Sequence, residues 1–494
     1  MGREEQIIES RKNKLEELKK AGINPYPQKY ERKDFSKDIK ERYKKLKDNE
    51  RTKNKVKIAG RVMTKRDIGK LIFATLRDSE GDIQLIFQKE NNSFNLFKKY
   101  IDTGDFVGAE GSIMKTRTGE VSVLVNKLEI LSKSLLPLPE KWHGLKDEEE
   151  RSRKRYLDIL MNSEVKEIFI KKSKFWNAIR QFLIERGFLE VETPILETSA
   201  GGAAATPFQT HHNALDIDVF LRISMGELWQ KKLMIAGYDK TFEIGRQFRN
   251  EGIDMEHLQD YTQMEFYWAY ADYEDGMKLV EEMYKKVAKE IFGTLKFKSH
   301  GYQIDLGKKW ERYEYEKIIK KYTNINIFKT DEKEIKKKLE ELKIEYDKNL
   351  SKWRLVDNLW KYCRKKLTGP GFLIGQPVEV SPLAKRNPKD LRKVNQFQVI
   401  IGGSEMGNGY SELNDALDQE ERFKEQAKLG EKGDKEAHEH DKEFVEALKY
   451  GMPPTCGFGV SERLFSYLMD KPIRECVLFP LVKPEEDKKA GKKK

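Results

Sequence analysis

Three separated stretches carry residue types that could do chemistry. Phe248-Arg249-Asn250-Glu251 is followed by a turn to about residue 260 and then by Tyr261-Thr262-Gln263-Met264-Glu265-Phe266-Tyr267. An arginine beside a glutamate on a strand is either a surface ion pair or a fixed guanidinium that holds a phosphate and stabilises charge at an attacked phosphorus. Gly457-Phe458-Gly459-Val460-Ser461-Glu462-Arg463 places a second arginine behind two glycines, which let a backbone approach a ligand closely. Glu405-Met406-Gly407-Asn408-Gly409-Tyr410-Ser411-Glu412-Leu413-Asn414-Asp415 supplies carboxylates, as does Glu227. Buried carboxylates suit a cationic substrate, because a buried charge must be paired.

Other chemistries are excluded. No G-x-x-x-x-G-K-[ST] loop and no strand–G-x-G-x-x-G–helix unit occurs. The three cysteines, Cys363, Cys456 and Cys476, form no C-x-x-C pair, which argues against a disulfide framework or a zinc ribbon. His438-Glu439-His440-Asp441 reads as a solvated helix end rather than a metal site. With no apolar leader and no run long enough to cross a bilayer, the expected location is a reducing cytoplasm, with no membrane partner. Charged residues make up 36% of the chain and the net charge is +12, which suits a polyanionic partner.

The elements that must position these residues follow from periodicity. The 494 residues suffice for two or three domains, and the pattern is that of an α+β multidomain protein. Residues 4–20 are helical in pattern, with Ile7, Ile8, Leu15 and Leu18 on one side. The turn Gly22-Ile23-Asn24-Pro25-Tyr26-Pro27 ends that helix, and a second helical stretch is expected to about Asn49, making 1–50 an N-terminal extension. Over 54–131 the period becomes strand-like. Five short strands with a helical piece at 92–100 match an OB barrel, assigned to 51–136, a fold that binds single-stranded nucleic acid on its strand 2–3 face. Residues 137–155 read as a linker and 156–482 as a second, mixed domain with a helical insertion at 307–367. The Lys-rich tail, 483–494, is expected to be disordered.

Gly187-Phe188-Leu189-Glu190-Val191-Glu192-Thr193-Pro194 follows an amphipathic stretch at 175–186. Together with the Arg249 and Arg463 segments, in that order, it resembles the three motifs of class II aminoacyl-tRNA synthetases. The two short His- and Lys-containing signatures of class I are absent. Gly201-Gly202-Ala203-Ala204-Ala205-Thr206-Pro207-Phe208, then His211-His212-Asn213, resembles the lysine-specific members, whose anticodon barrel is N-terminal. So do Val378-Glu379-Val380-Ser381-Pro382-Leu383-Ala384-Lys385 and the Glu405–Asp415 tract.

The resemblance implies activation of L-lysine by ATP with Mg²⁺, transfer to tRNA(Lys), and a homodimer formed around Pro194. It implies that Arg249 holds the α-phosphate, Arg463 the γ-phosphate, and Glu251, His257 and Tyr261 the adenine and phosphate end. It assigns the lysine carboxylate to Arg249 and Asn408, the α-amine to Glu227 and the Gly202 backbone, and the ε-amine to Glu412 with Tyr267 and Glu265 beside it. Tyr410 packs the aliphatic stem. Glu405 and Gln398 correspond to metal ligands, and Glu405 also serves ATP. In the barrel Phe73 stacks on the central uridine, Gln84 and Glu129 hydrogen-bond bases, and Arg61 contacts backbone. Several positions depart from the family pattern. Tyr261 replaces the usual Phe, and Leu258-Gln259 replaces Asn-Pro. The third motif is one residue shorter. Arg222-Ile223-Ser224-Met225-Gly226-Glu227-Leu228 is one longer, a spacing seen in aspartyl and asparaginyl relatives, which carry Gln where Glu227 stands. Gln398 replaces a Glu, so its amide lacks a carboxylate's charge.

Overall fold

The computed structural model describes residues 2–139, 147–199, 201–203, 205–347, 350–431 and 441–485. The chain divides into two compact units, Met1–Arg151 and Ser152–Lys494.

In the first unit five strands close a barrel in the order Arg51–Asp67, Leu71–Arg77, Asp82–Gln88, Val121–Ser132 and Phe106–Lys115. Alternation sends Ile72, Ala74 and Leu76 inward and leaves Phe73 and Thr75 half-buried on the outer face. Helix Asn92–Tyr100, capped by the Asn91 side chain, closes the barrel, with Phe97 stacked on Phe87 at 4.0 Å between centroids. Helix Arg3–Lys20 carries Glu4 and Glu5 in its first turn and Lys19 and Lys20 in its last, matching the helix dipole. Its Leu18 lies in the barrel's own core, as does Ile39. Buried Arg11 ties the helix down by donating to the carbonyls of Thr103, Ser134 and Leu136.

The second helical stretch is shorter than the charge pattern predicts, running only over Ser36–Tyr43. The chain before it is extended because it covers the barrel. The amides of Lys33 and Asp34 donate to the Lys57 carbonyl, and the Tyr30 ring occupies the space above Gly108.

The second unit is built on an eight-stranded, mainly antiparallel sheet. Its order is Glu311–Glu314, Gly371–Ile374, Gln396–Ile401, Ser404–Ser411, Thr455–Ser461, Asp260–Ala269, Lys240–Phe248 and Leu189–Glu190. Only the two outermost pairs are parallel. Helices Ser163–Ile184 and Tyr273–Phe292 cover one face with Phe175, Phe182, Leu183, Met277, Val280 and Val287. The second of them is capped by Asp272 at its start and stopped by left-handed Gly293. Helices Tyr315–Thr323, Glu332–Glu341 and Lys352–Arg364 share a separate core around Ile319, Leu339, Leu355 and Trp360. The strand Glu311–Glu314, inside the span read as a helical insertion, is the sheet's edge.

Of the span read as a linker, residues 140–146 lie outside the described residues, and Glu148–Arg153 is helical. Ala204, His438, Glu439, His440 and the tail from residue 486 also lie outside them. No helix among the described residues is long and apolar enough to cross a membrane.

Candidate active site

Strand alternation decides which side chains reach the side of the sheet away from helices Ser163–Ile184 and Tyr273–Phe292. Along Asp260–Ala269, Met264 and Phe266 enter the helix-covered core, so Tyr261, Gln263, Glu265 and Tyr267 point the other way. Along Thr455–Ser461, Cys456, Phe458 and Val460 are core, and Gly457, Gly459 and Ser461 face the cleft. On Ser404–Ser411, Asn408 and Tyr410 share a parity that Glu405 does not. A bulge restores it: Gln398 pairs with Asn408, but Ile400 pairs with Glu405, so Met406 and Gly407 together oppose a single residue. Gly407 is required there, since a Cβ would lie 2.6 Å from the Phe458 ring. The result is a cleft of about 470 Å³.

Its floor holds three buried carboxylates. Glu227 begins the helix Glu227–Ile235, Glu265 comes from the central strand, and Glu412 follows the Ser404–Ser411 strand; they are 7%, 6% and 1% exposed. Tyr410 donates to Glu227, Tyr267 to Glu265 at 3.1 Å, and Gln263 and the Met225 amide also donate to Glu265. Burial, then the charge of Glu227, lifts Glu265 to about 7. Burial lifts Glu412 to about 8, against the pull of Lys231. Gly457 and Gly459 clear this floor: a Cβ on Gly457 would collide with Glu412, and one on Gly459 would lie 3.0 Å from Glu265 Cγ. These glycines, read as letting the backbone approach a ligand, thus make room for carboxylates. Left-handed Gly226 turns the chain into the helix Glu227–Ile235.

The mouth carries the cations. The Arg249 amide donates to the Gln259 carbonyl, its Nε to the Ile223 carbonyl at 3.3 Å, and its guanidinium lies 6.0 Å from the Tyr261 ring centre. Arg463, the first residue of the helix Arg463–Leu468, donates to the Glu405 carbonyl at 3.1 Å and lies 3.6 Å from Glu256 and 3.3 Å from His257 Nε2. Glu405 accepts from Trp360 Nε1 at 2.8 Å and lies 3.6 Å from Arg364.

Gly202, Glu227, Arg249, Tyr261, Glu265, Tyr267, Gln398, Glu405, Asn408, Tyr410, Glu412 and Arg463 therefore line one cleft. Glu251 and His257 do not; they sit on the exposed 249–259 loop, where His257 is bound to Asp254. In the barrel, register sets Phe73 opposite Ile86 and Gln84 opposite Thr75 on the same face, with Gln84 oriented by Ser122 at 2.9 Å. Arg61 stands apart, its guanidinium over Phe106 and donating to the Gly104 carbonyl. Glu129 lies opposite Gly108, near Tyr30.

Five residues at the site were not read from the motifs. Lys231 pairs with Glu227 and Glu412, and its spacing of one helical turn from Glu227 was an available signal. Gln263 shares the strand and the even spacing of Tyr261, Glu265 and Tyr267, while Glu256, Trp360 and Arg364 gave no signal, because each depends on contacts distant in sequence.

The profile of the family described as tRNA synthetases class II (D, K and N) matches residues 147–483, and that of OB-fold nucleic acid binding domains matches 56–131. The chain belongs to the class II tRNA synthetases. Among this synthetase's relatives are lysine–tRNA ligases of Fervidobacterium nodosum and Thermotoga maritima, each 44% identical over 97% of the chain and over 94% and 96% of their own length. That of Clostridium perfringens is 45% identical over 98% of each. The class II synthetase unit and the OB barrel thus follow each other as the alternation and motif order predict.

Proposed function

We propose that the chain is a lysine–tRNA ligase, which activates L-lysine with ATP and passes the lysyl group to the 3′-terminal ribose of tRNA(Lys). The observation that carries this reading is a floor of three buried carboxylates beneath a mouth lined by Arg249 and Arg463. Such a floor favours a cationic ligand. An aspartyl or asparaginyl site is disfavoured, because Lys231, the floor's cation among the described residues, is already paired with two carboxylates. Amino-acid-dependent ATP–pyrophosphate exchange over the twenty amino acids tests this. Lysine should dominate, and exchange driven by another amino acid would overturn the reading.

In the first step the lysine carboxylate attacks the α-phosphate and pyrophosphate leaves. Glu412, with Glu265 and Tyr267, holds the ε-ammonium; Glu227 and the Gly202 backbone hold the α-ammonium; Tyr410 packs the stem. Arg249 and Asn408 orient the carboxylate, and Arg249 stabilises charge developing at the attacked phosphorus. Arg463 holds the far phosphates. Tyr261 stacks the adenine, with Glu251 and His257 brought in by the loop. The tRNA ribose hydroxyl then attacks the adenylate carbonyl, and AMP leaves; no covalent enzyme intermediate is needed.

Mg²⁺ would be held by Glu405 and Gln398 with phosphate oxygens, where it supplies positive charge along the triphosphate. One carboxylate and one amide fit an ion that arrives with ATP, and no cluster of three or more metal-binding side chains occurs among the described residues. Gln398→Glu, which restores a second carboxylate, should lower the Mg²⁺ midpoint of exchange. A midpoint that stays put removes Gln398 from the ion's neighbours.

Leu189, Ile195 and Leu196, at 50%, 46% and 49% exposure around Pro194, support a homodimer through this edge, because apolar side chains so exposed favour a covered surface. A cytoplasmic location fits three free cysteines.

The barrel's part in anticodon reading is supported by Phe73, an outward ring absent from the core cluster. Phe73→Ala should leave exchange and melting near wild type and lower charging of tRNA(Lys) roughly tenfold to a hundredfold, the worth of stacking one base. Early melting would return the ring to the core, and unaltered charging would remove it from the tRNA.

A further inference from the structure

Lys231 lies beneath the floor of the cleft, on the helix Glu227–Ile235 one turn after Glu227. It is 1% exposed, and its Nζ lies 2.8 Å from Glu227 Oε1 and 2.6 Å from Glu412 Oε2. The rings of Tyr410 and Phe444 flank the ammonium at 5.5 and 5.7 Å. On the lysine reading of the site, Glu227 takes the substrate's α-ammonium and Glu412 its ε-ammonium. Lys231 therefore bridges the carboxylates matched to opposite ends of the substrate.

Three carboxylates and one ammonium leave two negative charges. Lysine brings two ammonium groups into the same space, while its carboxylate goes to Arg249. We propose that Lys231 is a positioning residue that determines specificity, setting the floor at the two negative charges that an amino acid with two ammonium groups neutralises. The proposal rests on the lysine reading. Without Lys231, three carboxylates would face two ammonium groups, and one would keep a proton in the complex, because an unpaired buried charge is too costly.

Tyr267, Tyr410 and Cys456, packed against this cluster, carry no charge near neutral pH. Burial raises Tyr267 and Tyr410 well above their usual range, and the Cys456 thiol likewise. Burial works against the charge of Lys231, but Glu227 and Glu412 more than offset it. With Glu265 lifted to about 7 and Glu412 to about 8, the free floor holds a proton between those values. A bound dication expels it. The free protein then binds more protons than the complex, so lysine affinity rises with pH up to about 8.

The test is the lysine KM in ATP–pyrophosphate exchange from pH 6.5 to 8.5, for the full chain and for Lys231→Met. Wild-type KM should fall with pH, by up to about tenfold per unit for one proton released. In Lys231→Met the free floor and the complex each hold a proton to higher pH, so the fall in KM should move to higher pH and KM at pH 8.5 should exceed wild type by about tenfold or more. A purely structural lysine would lower kcat or stability and leave the fall in KM at its wild-type pH, which overturns the proposal. If Lys231→Met does not fold, calorimetry of lysine binding to wild type at pH 7.5, in two buffers of different ionisation enthalpy, decides: release of a proton supports the proposal and none overturns it. Wild-type protein that exchanges with no lysine at any pH would instead remove the functional reading itself.

Discussion

Glu412→Gln should lower lysine-dependent ATP–pyrophosphate exchange by roughly a hundredfold to a few thousandfold, the equivalent of the about 3–5 kcal/mol lost when one partner of a buried ion pair is removed. The site explains why the effect is large. Glu412 is 1% exposed, and its position against Gly457 admits no larger backbone neighbour. Gln keeps the shape and an acceptor oxygen but has no charge for the ε-ammonium, so the loss should fall mainly on lysine KM. Lys231 keeps its 2.8 Å partner Glu227, so the variant should still fold. Melting temperature and exchange are measured on one preparation. Exchange like wild type in a folded variant would remove Glu412 from the lysine site.

Arg249→Ala should lower kcat of the same exchange by about 10²–10³-fold, the usual cost of losing one donor aimed at developing charge. Lysine KM should rise as well, because the same guanidinium orients the substrate carboxylate. Arg249→Lys separates charge from geometry: an ammonium cannot present the planar fork, so it should recover little of the loss. The Arg249 backbone, held by Gln259 across the strand pair, keeps the loop's base in place in both variants. Exchange within tenfold of wild type in Arg249→Ala would show that the guanidinium does not touch the reacting phosphate.

The sequence by itself determined the two-unit order, the barrel's alternating strands and most of the cleft. Period-two patterns and motif residues a few positions apart are local, and each strand's alternation settles which side chains share a face. Tyr261, Glu265 and Tyr267 could be grouped in this way, since all lie on one strand at even spacing. What tertiary structure alone decided depends on pairings between segments distant in the chain. The bulge at Met406-Gly407 brings Glu405 to the side of Asn408 and Tyr410, against the parity of the sequence. Gly457 and Gly459 have no room for a side chain because Glu412 and Glu265 press against their backbone from segments distant in sequence. The extended run before Ser36 has a helical composition, yet its amides are bonded to the Lys57 carbonyl of the barrel, a partner that local propensity cannot include. Lys231, ordinary in sequence, becomes part of the site because folding sets Glu227 and Glu412, 185 positions apart in the chain, on either side of its ammonium.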